Sequence, residues 1–254
     1  MEAEEGLRKA FREDLYHCSQ KIKGSKGLGR LCINYERSFV MDEWLKKYID
    51  KYDKMISEKK ISFSSKVIPV NKSLQHVQHI LPSAQVEEIL RGAELITLAK
   101  CICRLKYKNC NKPLEVCFVL NDVGKKWIAD GYSKKVTTDE ALEVIKLANK
   151  EGLVHLSLYM PDHEIFALCS CCSCCCHDLQ LLLSYGKNYV TVKSDYVAVD
   201  NPEHCSDCGI CIDRCAFKAR YFENEKLVYD QEKCYGCGLC VTTCPEDSIS
   251  LRER

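Results

Sequence analysis

The sequence predicts an α+β chain in three parts. A helical N-terminal segment covers 1–65, a small α/β cysteine-rich domain covers 66–197, and a smaller αβ module of pseudo-twofold character covers 198–254. Three observations carry that prediction. Residues 1–65 hold no clustered cysteine and show helical spacing. The middle alternates short apolar runs with amphipathic helical ones. The end repeats one cysteine spacing, with a strand–turn–strand pattern between the copies.

Taken in order, MDEWLKKYIDKYDKMISEKK places Trp44, Tyr48, Tyr52 and Met55 three and four residues apart among lysines and acids. That predicts an amphipathic helix, packed on its own domain or docked on a partner. GSKGLGR (Gly24–Arg30) fits neither GxGxxG nor the Walker pattern and reads as a flexible turn. KVIPV (Lys66–Val70) is β-like. SAQVEEILRG reads as a helix with Ser83 as N-cap and Gly92 as stop. AELITLAKCICRL reads as a strand that delivers Cys101 and Cys103. Thr137 and Glu140 form a capping box ahead of ALEVIKLANKEG, with Ala141, Ile145 and Ala148 on one face and Gly152 at the end. LVHLSLYM is a strand leading through Pro161–Asp162 to the run CSCCSCCCH (Cys169–His177). NYVTVKSDYVAVD is a β-like link to the tail. There RYFENEKLVYD predicts a hairpin turning at ENEK, and SISLR a closing strand.

Composition narrows the function. The chain has 254 residues, 46% hydrophobic and 29% charged, with a formal net charge of +1. Such a balance gives no field to attract nucleic acid or an anionic membrane surface. No apolar run approaches the length of a bilayer span, and MEAEEGLRKAFRED lacks the apolar core of an export signal, so a cytoplasmic protein is expected. Cysteine is the outlier, at 20 residues. Without an export signal, that number points to metal or metal–sulfide ligation rather than to disulfides. Cys18 and Cys32 stand alone; the other eighteen fall in tight clusters beyond residue 100.

The tail is the most specific part. Cys205, Cys208, Cys211 and Cys215 read C-x2-C-x2-C-x3-C, and Cys234, Cys237, Cys240 and Cys244 repeat it with Pro245 directly after. Three thiolates at two-residue spacing wrap three corners of one [4Fe–4S] cube, and the fourth points away to the other cluster. The expected sets are therefore Cys205, Cys208, Cys211 and Cys244 for the first cluster. Cys234, Cys237, Cys240 and Cys215 form the second. Small residues beside the sulfurs, Gly209, Gly236 and Gly238, let backbone N–H groups approach. Paired zinc knuckles would leave the third cysteine of each run without a purpose.

On these motifs, residues 203–250 resemble a bacterial-type two-[4Fe–4S] ferredoxin. The resemblance implies a ferredoxin-like pseudo-twofold fold and low-potential, one-electron transfer. Ala216 stands where such proteins usually have proline after the fourth cysteine, which puts the local turn in question.

The middle domain holds ten cysteines: Cys101, Cys103, Cys110, Cys117, Cys169, Cys171, Cys172, Cys174, Cys175 and Cys176. Neighbours within CSCCSCCCH cannot all point at one ion, so they surround something larger or split between two sites. The block CICR…CNKPLEVC…EALEVIKLANKEGLVH…CSCCSCCC resembles a domain that precedes dicluster ferredoxin tails in iron–sulfur proteins of anaerobic bacteria and archaea. Three readings stay open. The ten thiols favour one or two further iron–sulfur clusters extending an electron wire. A reactive centre with an open coordination position, making the chain a reductase, is the alternative. A structural zinc site is the third. His155, His163 and His177 are available as ligands, His177 first among them, and Arg104 and Lys106 are placed to offset charge. No flavin or nicotinamide fingerprint is present. The reading is a multicluster electron carrier that works with a redox partner protein or as a subunit of a larger oxidoreductase complex, with no nucleic-acid role.

Overall fold

The computed structural model describes residues 41–60, 62–68, 83–159 and 165–254. Cys18, Cys32, the Gly24–Arg30 turn, Pro161–Asp162 and His163 lie outside them.

Helix α1 (Glu43–Ser57) starts at Asp42, whose carboxylate accepts from the Leu45 N–H at 2.8 Å. Its buried face is Leu45, Ile49 and Tyr52, which pack with Leu181 and Val190, so the helix lies on its own unit. Trp44 and Tyr48 sit on the flank of that face.

The strands β1 (Ser65–Ile68), β2 (Ile96–Lys100), β3 (Glu115–Leu120), β4 (Ser133–Lys135), β5 (Val154–Tyr159), β6 (Ile165–Cys171) and β7 (Thr191–Val192) form one sheet ordered β4-β2-β3-β6-β5-β1-β7. The strand pairs are antiparallel except β1 with β7. Helix α2 (Ser83–Gly92) and helix α5 (Thr138–Lys150) bury Val86, Leu90, Ala141 and Ile145 against Leu98, Phe118 and Leu168 of the sheet. The capping box of α5 is formed: Glu140 N–H donates to Thr137 Oγ1 at 3.2 Å, and Thr137 N–H donates to Glu140 Oε2 at 2.7 Å. Helix α4 (Asn121–Ala129) follows β3 directly. Gly124 lets it lie close, since a Cβ there would come within 2.8 Å of the Val119 carbonyl.

One expected strand is corrected. It ends at Lys100, and Ile102–Tyr107 is a short helix, α3, with Cys101 at its N-cap. Cys103 and Arg104 are consecutive and both buried, which the alternation of a half-buried strand does not provide. The β2–β3 register also shifts at Ala99/Lys100, and the Cys101 N–H turns to the Leu114 carbonyl at 2.8 Å. Helix α6 (His177–Tyr185) then carries the chain away from the second cysteine group and ends at Gly186.

The segment NYVTVKSDYVAVD divides between two sheets. Thr191–Val192 joins the large sheet, while β8 (Tyr196–Asp200) pairs antiparallel with β11 (Ile249–Glu253) at the chain's end. The expected break at 197/198 falls inside β8. Between them lie α7 (Ile210–Arg214) and the hairpin β9 (Arg220–Glu223) and β10 (Lys226–Tyr229). Asn224 and Glu225 turn that hairpin with φ of 48° and 64°, the left-handed pair that a two-residue turn needs.

Residues Met41–Arg254 form one compact unit, and the tail is fastened to the sheet domain at several points. Arg214 donates to the carbonyls of Lys150 and Asn149 at 3.1 and 3.2 Å, placing a cation at the C-terminal end of α5. Phe217, Cys237 and Leu239 share an apolar cluster with Val67, Val154, Leu156, Leu179 and Leu182.

Candidate metal centres

In the tail the two cysteine motifs repeat each other in backbone conformation. Asp207 and Gly209 in the first motif have φ of 49° and 75°, and Gly236 and Gly238 in the second have 70° and 75°. Lys218 and Asp247, each three residues past the fourth cysteine, have φ of 53° and 47°. Each fourth sulfur also accepts from the backbone four residues on: Ala219 N–H to Cys215 Sγ at 3.2 Å, and Ser248 N–H to Cys244 Sγ at 3.4 Å. The turn after Cys215 thus matches the one after Cys244, with Ala216 in place of Pro245.

The repeat folds so that its sulfurs enclose two cavities. One is lined by Cys205, Cys208, Cys211 and Cys244, together with Asp200, Arg220 and Ser248. The other is lined by Cys215, Cys234, Cys237 and Cys240, together with Arg220, Tyr229 and Phe217. Each cavity takes three cysteines from one motif and the fourth from the other. They differ in depth. Cys208 is exposed and Cys205 half-buried at the first, whereas Cys234, Cys237 and Cys240 are all buried at the second. Gly236 is fixed by sterics, since a Cβ there would lie 2.0 Å from the Tyr196 carbonyl oxygen. Its N–H donates to Cys234 Sγ at 3.3 Å.

Arg220 lines both cavities and is only 2% exposed. It donates to the two carboxylate oxygens of Asp200 at 2.7 and 2.5 Å and lies 4.3 Å from the centre of the Tyr229 ring. Burial works against its charge, but the Asp200 carboxylate and the Cys240 and Cys211 sulfurs outweigh burial and hold its pKa up. Burial pushes the Cys237 thiol well up and that of Cys240 to about 12. Thiolates at these positions therefore require a cationic ligand. The donor set, four sulfurs around each cavity with backbone N–H groups on them, fits an iron–sulfur cluster.

In the sheet domain the ten cysteines separate into two groups. Cys110, Cys172, Cys174 and Cys175 bring their sulfurs within 4.8 Å of one another. Cys110 and Cys172 are 3.7 Å apart, and Cys174 and Cys175 3.8 Å. The other six close a ring of sulfur–sulfur contacts that runs Cys101, Cys103, Cys176, Cys171, Cys169, Cys117 and back to Cys101. Strand pairing builds part of the ring, because Cys117 on β3 lies directly opposite Cys169 on β6. The adjacent pairs Cys171/Cys172 and Cys175/Cys176 each send one sulfur to either group.

Hydrogen bonds from neighbouring thiols of the ring lower the pKa of Cys101, Cys176 and Cys169. The same contacts hold Cys103, Cys171 and Cys117 up. Arg104 serves the four-cysteine group: it is 1% exposed, with one guanidinium nitrogen 3.5 Å from Cys172 Sγ and 3.2 Å from the Ser170 carbonyl. Lys106 is exposed.

His177 stands against the ring. Its Nδ1 lies 3.1 Å from Cys103 Sγ, and its Nε2 lies 2.9 Å from Asp178 Oδ1 and 3.0 Å from the Tyr52 hydroxyl. Burial opposes its charge, but the Asp178 carboxylate and the Cys176 and Cys169 sulfurs outweigh burial and raise its pKa. Tyr48 stacks on the imidazole at 3.9 Å and Trp44 meets it edge-on at 5.4 Å, so α1 roofs this side of the ring. His155 is elsewhere, buried between Asn149 Oδ1 at 2.5 Å and Ser170 Oγ at 2.9 Å. Sequence reasoning missed Arg220 and the aromatic roof. The spacing of Trp44, Tyr48 and Tyr52 was a visible signal for the roof, whereas nothing in RYFENEK singles out Arg220.

The ring and the second tail cavity adjoin. Cys171 and Cys176 belong to the same apolar cluster as Cys237, with Cys169 and Cys215 packed against it.

The family described as 4Fe-4S binding domain matches residues 227–250, the stretch that carries Cys234, Cys237, Cys240 and Cys244. No curated protein matches the chain. The chain thus carries a 4Fe-4S binding domain near its C-terminal end, beside a cysteine group able to hold a metal. Among the described residues no helix is long and apolar enough to cross a membrane.

Proposed function

We propose that the chain is a multicluster iron–sulfur electron-transfer protein that exchanges electrons with a redox partner protein or within a larger oxidoreductase complex. The observation that carries this reading is the sorting of eight tail cysteines around two cavities, three from one motif and one from the other in each. The match of the 4Fe-4S binding domain family to the second motif supports it. On this reading Cys205, Cys208, Cys211 and Cys244 hold one [4Fe–4S] cluster, and Cys215, Cys234, Cys237 and Cys240 hold the other, in a ferredoxin-like pseudo-twofold module. Such clusters supply one-electron chemistry at low potential. The six-sulfur ring is the place for a further cluster.

The protein's own residues set a direction. Exposed Cys208 offers the first cavity to a partner. Phe217 and Leu239 exclude water around the second, and the apolar cluster that Cys237 shares with Cys171 and Cys176 leads on to the ring. Arg220 places one positive charge beside both tail sites. A spectroelectrochemical titration of the full chain without oxygen tests the reading. Reversible one-electron waves that bleach an iron–sulfur absorption are expected. A chain whose iron neither accepts nor returns electrons contradicts it.

A further inference from the structure

The ten cysteines of the sheet domain form two separate centres, and we infer that Cys110, Cys172, Cys174 and Cys175 bind a single tetrahedrally coordinated ion, zinc or ferrous iron, rather than a cluster. The inference stands apart from the electron-transfer reading, since it would hold whatever the tail carries.

Distance carries the argument. An ion bonded to four thiolates at about 2.3 Å sets them about 3.8 Å apart along the edges of a tetrahedron. The sulfurs here are 3.7 and 3.8 Å apart in two pairs, and all lie within 4.8 Å. A four-iron cube interposes its own irons and sulfides and holds its thiolates further apart. The same chain shows the contrast: the cysteines that line the two tail cavities do not converge this closely, and among the described residues no other group of three or more does.

Charge agrees. Four thiolates and a divalent ion leave two negative charges. Arg104 is buried with no carboxylate partner among the described residues, and its guanidinium touches Cys172. A buried guanidinium needs an anionic neighbour, and a thiolate–metal centre is one. Four protein ligands leave no open position, so the site is structural. It joins the loop after α3, which carries Cys110, to the loop before α6, which carries Cys172, Cys174 and Cys175. It thereby fixes Cys103 on α3 and Cys176 at the start of α6, two members of the ring.

The test uses the full chain, purified without oxygen, beside the double variant Cys174→Ser/Cys175→Ser. The variant should lose one metal ion per chain and no acid-labile sulfide, and whether zinc or iron disappears identifies the ion. Loss of about four irons with their sulfide, or loss of no metal at all, overturns the inference. A measurement on the unaltered chain guards against misfolding of the variant. Zinc-edge X-ray absorption should show four sulfurs at about 2.3 Å with no metal neighbour, or Mössbauer spectra a mononuclear high-spin iron. Finding neither signature overturns it equally.

Discussion

Arg220 and Asp200 meet through two hydrogen bonds of 2.7 and 2.5 Å, and the guanidinium held in this way lines both tail cavities. A cation in that position favours the reduced, more negative form of anything bound on either side. Arg220→Met should therefore make both tail potentials more negative, and Asp200→Asn should move that of the nearer, first site the other way. Protein-film voltammetry reads both. A purely structural role for the pair would leave the potentials unmoved, or would move the first site's potential in the same direction in both variants.

Cys215 belongs to the first motif by sequence but lines the second cavity. Cys215→Ser should damage the centre held by Cys234, Cys237 and Cys240 and spare the one at Cys205, Cys208 and Cys211. Electron paramagnetic resonance of the reduced variant checks this, and loss of the solvent-near signal instead would show that each motif closes its own site.

Gly236 combines a φ of 70° with a close approach to the Tyr196 carbonyl. Gly236→Ala should displace the second motif's loop and cost that site its iron. Gly92→Ala, where a Cβ meets nothing within 4 Å, should leave iron content unchanged and match or exceed the parent in stability. Iron analysis and thermal midpoints separate the two.

His155 is buried without charge, and burial lowers its pKa to about 4 from 6.5. The unfolded chain takes up the proton first, so this contribution is complete above about pH 6.5 and declines as pH falls toward 4. The full contribution is roughly 3 kcal/mol. Unfolding midpoints measured without oxygen at pH 7.5 and 5.5 should fall more steeply for the parent than for His155→Gln. Equal slopes would remove His155 as the cause.

Local signals in the sequence were reliable where neighbours in the chain decide the outcome. The capping box at Thr137 and Glu140 and the hairpin at Asn224–Glu225 each follow from a few adjacent residues. So does the repeated cysteine spacing of the tail, which the backbone repeats at Asp207 and Gly236. The sheet domain was less legible because its site is assembled over long separations. Cys117 meets Cys169 only through strand pairing, and Cys171 and Cys172 part where β6 ends, Cys171 closing the strand and Cys172 opening the loop before α6. Tyr52 reaches His177 across 125 positions. The apolar alternation of AELITLAKCICRL suggested one long strand, but a register shift ends it and a helix carries Cys103.

The iron and acid-labile sulfide content of the full chain, purified without oxygen and followed by electron paramagnetic resonance of the reduced protein, tests the central claim most directly. Two tail clusters require about eight irons with matching sulfide, and more if the ring is filled. They should also give the broadened signal of two interacting paramagnets close together. A chain with zinc alone, no sulfide and no signal on reduction would contradict the account.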